Sequence, residues 1–126
     1  MKKILIVIAD YYEDISSTLL KSAKNNLNNF SLKVIRVPGV FEIPVTISKN
    51  IKKYDAFLAL GCVIKGETPH FDFISSASTQ AIMELSVKNK KPIGNGIITC
   101  LNMKQAKARS KKGKEAAEAI ISVLSQ

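Results

Sequence analysis

The residues best equipped for chemistry lie in one ten-residue stretch, Gly61-Cys62-Val63-Ile64-Lys65-Gly66-Glu67-Thr68-Pro69-His70. It follows a short apolar run, Asp55–Leu60, that reads as a fully buried strand. It leads into Phe71, Ile74, Ala77, Ala81, Ile82 and Leu85, an apolar pattern at helical spacing. Thr68 suits the N-cap of that helix and Pro69 its first position. A helix start presents free N–H groups and a positive dipole end, which together hold an anion such as phosphate. The only histidine of the chain, His70, falls in the first turn. An imidazole there could move protons beside the bound anion. The competing account is plain turn and cap chemistry with a surface histidine.

Three other loops should reach the same edge of the sheet, where open α/β folds bind ligands. They are Ala9-Asp10-Tyr11-Tyr12, Val37-Pro38-Gly39-Val40-Phe41-Glu42, and the end of Asn95–Cys100. Tyr11, with the pair Phe41-Glu42, could clamp a flat polar ring by stacking and by hydrogen bonds to ring N–H groups. Taken singly, each is equally well explained by edge packing or a helix-start acid; their convergence favours a site. Arg109, the only arginine besides Arg36, could fork two donors onto phosphate or carboxylate. Cys62 reads as a small lining residue, because His70 alone could activate it as a nucleophile. The sequence has no Gly-Lys-Ser/Thr phosphate loop, no Gly-x-Gly-x-x-Gly and no zinc-type Cys/His spacing.

Strand and helix signals alternate around these loops. Strands are expected at Lys3–Ala9, Ser31–Val37, Tyr54–Gly61 and Pro92–Thr99. Helices are expected from Glu13 to the Asn25-Asn26 and Asn28-Asn29 pairs, from Pro44 to Lys53, and from Pro69 to Asn89. A short helix capped by Asn102 with Gln105 should end near Ala108. Gly113 interrupts before a last helix burying Ala117, Ile120, Ile121 and Leu124. Each strand is followed by a helix, so right-handed crossovers imply a three-layer α/β sandwich. Its centre is a four-stranded parallel sheet flanked by helices. A sheet this small invites self-association.

The 126 residues are 46% hydrophobic and 23% charged, which suits a single domain over 1–126 with a real core. No window is apolar enough to span a membrane, and Asp10 cuts short the apolar start, so a cytoplasmic protein is expected. Cys62 and Cys100 read as reduced thiols. The net charge is +9, and nine basic residues but no acid lie between Lys88 and Lys114. Such a run could meet nucleic acid, as an RNA-binding module on this fold would, or an anionic small substrate. No nucleic-acid motif or interleaved aromatic accompanies it, so a solvated face and no nucleic-acid partner are expected.

With these residues in view, the chain resembles the lumazine synthase family of riboflavin biosynthesis. The motif Val-Pro-Gly-x-Phe-Glu-Ile-Pro stands at Val37–Pro44, and Ala-Leu-Gly-x-Val-Ile-x-Gly-x-Thr-x-His-Phe at Ala59–Phe71. Pro92–Thr99 and the Gln-Ala-x-x-Arg stretch Gln105–Arg109 also match. The resemblance implies a flavodoxin-like domain and a condensation of 5-amino-6-(D-ribitylamino)uracil with 3,4-dihydroxy-2-butanone 4-phosphate. That reaction releases phosphate and water and uses no metal or organic cofactor. The resemblance makes His70 the general acid/base. It makes Glu67, Thr68, Arg109 and Lys112 phosphate binders, and Tyr11, Val40, Phe41, Glu42, Cys62, Val63, Ile64 and Asn95 the walls for the pyrimidine and ribityl chain. Asn95 and Arg109 would serve a neighbouring subunit's site. The family also implies a homopentamer or a higher assembly, with riboflavin synthase as a partner enzyme. This chain departs from the pattern in three places. Asp10-Tyr11 stands where many members have Arg-Phe, Asn95 where many have Phe, and only Ser110-Lys111 separates Arg109 from Lys112. The first strand is also expected almost at Met1, so the arm that in the family can pair with a neighbour is not expected here.

Overall fold

The computed structural model describes residues 1–66 and 69–126. Four strands form one all-parallel sheet in the order β2-β1-β3-β4, with β1 at Lys3–Ala9, β2 at Ser31–Val37, β3 at Ala56–Ile64 and β4 at Ile93–Cys100. Strands covered on both faces should be continuous apolar runs. β1 and β3 are such runs: Ile4–Ala9 and Ala56–Val63 are buried throughout.

The period of two divides the core cleanly. Ile4, Ile6, Ile8, Leu58, Leu60, Cys62 and Ile98 face one layer, made by α1 (Glu13–Lys24), α4 (Met103–Arg109) and α5 (Lys112–Leu124). Leu5, Val7, Ala9, Phe57, Ala59, Val63 and Ile97 face the other, made by a 3-10 turn at Val40–Glu42, α2 (Ile43–Lys49) and α3 (His70–Asn89). The chain leaves β1 through α1 to reach β2 on one side, and returns through α2 to pair β3 on the other. The carboxyl ends of β1 and β3 therefore flank a topological switch point, where such sheets open a crevice.

Several boundaries differ from the sequence expectation. β3 runs on to Ile64 instead of ending at Gly61, because Gly61–Ile64 pair in register with Ile97–Cys100. Lys65 N–H then extends that ladder to the Cys100 carbonyl at 2.9 Å. Cys62, Val63 and Ile64 are thus strand residues, not loop. The helix after Pro44 stops at Lys49, where Asn50 N–H takes the Ile47 carbonyl and tight turns follow. Gly113 does not interrupt a helix but lies buried inside α5. A Cβ at that position would stand 2.2 Å from the Leu19 carbonyl oxygen, so the glycine is what lets α5 rest on α1. At α4 the expected cap forms: the Asn102 side chain accepts Gln105 N–H at 2.9 Å, and Gln105 Oε1 accepts Leu101 N–H at 2.8 Å. Among the described residues no helix is long and apolar enough to cross a membrane.

Candidate active site

A cleft of about 380 Å³ opens at the switch point. It is lined by Tyr11, Tyr12, Gly39, Val40, Phe41, Glu42, Cys62, Val63, Ile64, His70 and Ile74. Three segments build it, and each is held by an identifiable contact.

The turn after β1 is pinned from beneath. Ser16, buried in the first turns of α1, donates its hydroxyl to the Ala9 carbonyl at 2.7 Å. Ser16 N–H also closes on the Tyr12 carbonyl at 2.9 Å. Tyr11 is 75% exposed and meets the half-buried Tyr12 edge-on, ring centroids 4.9 Å apart at 79°. Burial, with Tyr11 and Cys62 beside it, pushes the Tyr12 phenol up from its ordinary value. Tyr12 therefore meets the cleft as a neutral O–H, able to donate.

The turn after β2 lies down against β3. Gly61 permits this: a Cβ there would be 2.9 Å from Val40 Cγ2 and 3.3 Å from the Ala9 Cβ. Val40 is consequently buried while Phe41, 73% exposed, stands out over the cleft. The Glu42 carboxylate folds back over Gly39, whose Cβ, if present, would be 3.3 Å from Oε1. Thr46 Oγ1 holds the Glu42 carbonyl at 2.8 Å.

The end of β3 supplies the floor, and α3 supplies His70 and Ile74, one turn apart on the same side. Cys62 is buried against Cys100. Desolvation first, then the neighbouring thiol, pushes Cys62 up to about 12, so it offers the cleft a protonated thiol and not a thiolate.

Of the residues singled out in the sequence, Tyr11, Val40, Phe41, Glu42, Cys62, Val63, Ile64 and His70 come together here. Glu67 and Thr68 lie outside the described residues. Asn95, Arg109 and Lys112 stand elsewhere. Asn95 is exposed on the open edge strand β4, where its Oδ1 accepts Ile97 N–H at 3.1 Å. Arg109, exposed at the end of α4, donates to the Thr99 carbonyl near the end of the same strand at 3.2 Å. Lys112 opens α5. Sequence reasoning did not select Tyr12, Gly39 or Ile74 as site residues. Tyr12 adjoins Tyr11, and Ile74 follows His70 by four, so helical spacing could have found it. A larger groove of about 620 Å³ between α1 and α5 gathers Lys21, Lys111 and Lys114 but neither an aromatic ring nor an imidazole.

The family model described as 6,7-dimethyl-8-ribityllumazine synthase matches residues 1–126. The 6,7-dimethyl-8-ribityllumazine synthase 1 of Rhodopseudomonas palustris is 43% identical, the match covering 97% of this chain and 83% of that protein. The Methylorubrum extorquens protein of the same name is also 43% identical, over 97% of this chain and 79% of its own length. That of Bartonella tribocorum is 44% identical, over 96% and 87%.

Proposed function

We propose the following working of the site from one premise: the chain belongs to the 6,7-dimethyl-8-ribityllumazine synthase family, an enzyme family of riboflavin biosynthesis acting on small molecules. The observation that carries the proposal is the meeting of two exposed rings, a carboxylate and an imidazole around one cleft at the carboxyl edge of the sheet.

The pyrimidine of 5-amino-6-(D-ribitylamino)uracil lies between Tyr11 and Phe41, with Glu42 accepting from its N–H groups. Both rings are presented to solvent rather than used as core, which suits a stacking role. Val63, Ile64 and Cys62 form the apolar floor, and a protonated thiol there adds no charge against the ring. His70 is the general acid/base. It relays the proton when the 5-amino group adds to the ketone of 3,4-dihydroxy-2-butanone 4-phosphate and water leaves to give the imine. It then assists as a proton leaves C3 and phosphate leaves C4, and the enol so formed rearranges to a carbonyl at C3. The ribityl-bearing nitrogen attacks that new carbonyl, and a second water leaves as the ring closes. Holding two reactants in register can remove about 7–11 kcal/mol of barrier, so positioning outweighs any single proton transfer. Glu67 and Thr68, with Arg109 and Lys112, form the phosphate end.

Arg109 and Asn95 sit along the open edge of β4, away from their own chain's cleft. We therefore assign them to a neighbour's cleft in a homopentamer, with a higher assembly built from such rings as the alternative. Riboflavin synthase is the partner this assignment suggests, and the cytoplasm suits the free thiols of Cys62 and Cys100. The test is to incubate the protein with both substrates and follow lumazine fluorescence and inorganic phosphate together. Equal yields support the reading. Absence of both products, with a ribityl-pyrimidine analogue still bound, would overturn catalysis. Sedimentation at a mass other than five chains or a multiple of five would overturn the assembly.

A further inference from the structure

Tyr11 and Phe41 stand on two different turns, and neither ring is fixed by core packing. What sets the distance between those turns therefore sets the width of the cleft. Beyond the backbone pairing of β1 with β2, one side-chain contact ties them. Arg36, next to last in β2, reaches across to Asp10, the first residue after β1. Its Nη1 lies 3.0 Å from Asp10 Oδ1 and 3.3 Å from Oδ2. Strand pairing brings the two residues within reach, since Ile8 pairs with Arg36 and Ala9 with Val37. Asp10 N–H adds a bond to the Val37 carbonyl at 3.1 Å. Immediately beyond the pair, the first turn carries Tyr11 and Tyr12 and the second carries Gly39–Glu42, all lining the cleft. The chain has only 10 acids against 19 basic residues. Among the described residues the one other ion pair is the 4.0 Å helix pair Lys114–Glu118.

We propose that the Asp10–Arg36 pair is a positioning device that fixes the spacing of the Tyr11 and Phe41 turns and so tunes affinity for the ring substrate. This rests on the lumazine synthase reading of the cleft. Both partners are partly exposed, with 55% of the Arg36 and 33% of the Asp10 side chain accessible, so the effect is modest and sensitive to salt.

The experiment compares Asp10→Asn, Arg36→Gln, the double variant, and the exchanged pair Asp10→Arg with Arg36→Asp. Each single variant should raise KM for the ribitylaminouracil about three- to fivefold, the scale of an exposed ion pair. Their kcat, and KM for the phosphate ketone, should stay within about twofold. The double variant should be no worse than either single, and the exchanged pair should recover most of the loss. About 0.5 M salt should bring the unmodified protein's KM toward that of the single variants. Hydrogen exchange should show 10–12 and 39–42 loosening together in the single variants. An unchanged KM for the ring substrate would overturn the proposal. So would a loss shared equally by both substrates and matched by a fall in Tm. If the unmodified protein makes no lumazine, the functional reading has failed on its own. Hydrogen exchange and binding of an unreactive ribitylaminouracil, read by tyrosine fluorescence, then decide. Coupled loosening with weaker binding sustains the device; unaltered exchange in both turns refutes it.

Discussion

The two faces of the sheet are built from the same strands and finished differently. On the α1/α4/α5 face α5 packs closely on α1 and on β4, although Leu101, Met103 and Val123 stay exposed. Gly113 lets α5 rest on Leu19, and Gly94 lets it approach β4, where a Cβ would stand 2.5 Å from the Ala116 carbonyl. On the α2/α3 face the packing stops short. Phe41, Val45, Phe73, Met83 and Val87 are all exposed, Phe73 at 68% and Val87 at 69%. Phe73, Met83 and Val87 lie on α3, Val45 on α2 and Phe41 on the 3-10 turn, so the exposed apolar atoms are spread over this whole layer. The closely packed face supplies stability, whereas the other carries most of the cleft and an apolar surface left exposed. Substitutions on the first should act on Tm, and those on the second on turnover and KM.

The sharpest test of that division is His70→Ala. Turnover should fall about 10²-fold, in the range of a positioned acid/base, while the thermal midpoint stays where it was. Unchanged turnover would remove His70 from the mechanism. On the closed face, Gly113→Ala sets two effects against each other. Replacing a helical glycine gains up to about 1 kcal/mol in propensity, while forcing a methyl against backbone costs about 1–3 kcal/mol. The contact would be 2.2 Å from a carbonyl, with no flexible side chain to yield, so overpacking wins. Thermal melts should show a loss of about 1–2 kcal/mol with KM for both substrates unaltered. A Tm that held or rose would contradict the close-packing account.

Arg109→Ala probes the boundary between the faces. The guanidinium lies at the edge strand and does not line its own cleft, yet its loss should raise KM for the phosphate ketone about tenfold, because a charge-assisted bond to phosphate is lost. KM for the pyrimidine should not move. If neither KM changes, Arg109 serves no subunit's phosphate.

How much of this was legible beforehand follows from where the physics is local. The buried strands were visible because parallel strands are unbroken apolar runs, and Asn102 with Gln105 announced its cap by spacing alone. The boundaries that were missed depend on partners distant in sequence. Gly61 looked like a strand end because β4 pairing beyond it is not written in β3. Gly113 looked like a break because Leu19, its reason for being glycine, lies far earlier in the chain. The aromatic and acidic residues beside Pro38-Gly39 could be picked out because turn chemistry fixes them next to a strand end. Cys62 could be placed in the cleft wall, but its neighbour Cys100 could not, since that contact crosses from β3 to β4. The same limit hid the Asp10–Arg36 pair, which exists only once β1 and β2 are in register.

That cross-strand thiol pair yields the smallest effect, and it concerns a residue that belongs to both regions. Cys62 points into the α1/α4/α5 core and still lines the cleft. Its pKa rises from 9.0 to about 12, chiefly through burial and further through Cys100. In the unfolded chain the thiol loses its proton near its ordinary value; in the folded chain it keeps it. The unfolded state thus binds fewer protons than the folded state between roughly pH 9 and pH 12, and stability falls as pH rises through that window. Below about 9 both states hold the proton and the contribution is complete. Cys62→Ala removes up to about one proton per chain from this linkage, so its Tm should start lower at pH 8 and decline less steeply toward pH 11. Parallel Tm–pH curves for the two proteins would mean that the thiol is not held protonated by its surroundings. The residue would then count among the solvent-facing walls of the cleft and not among the closed core.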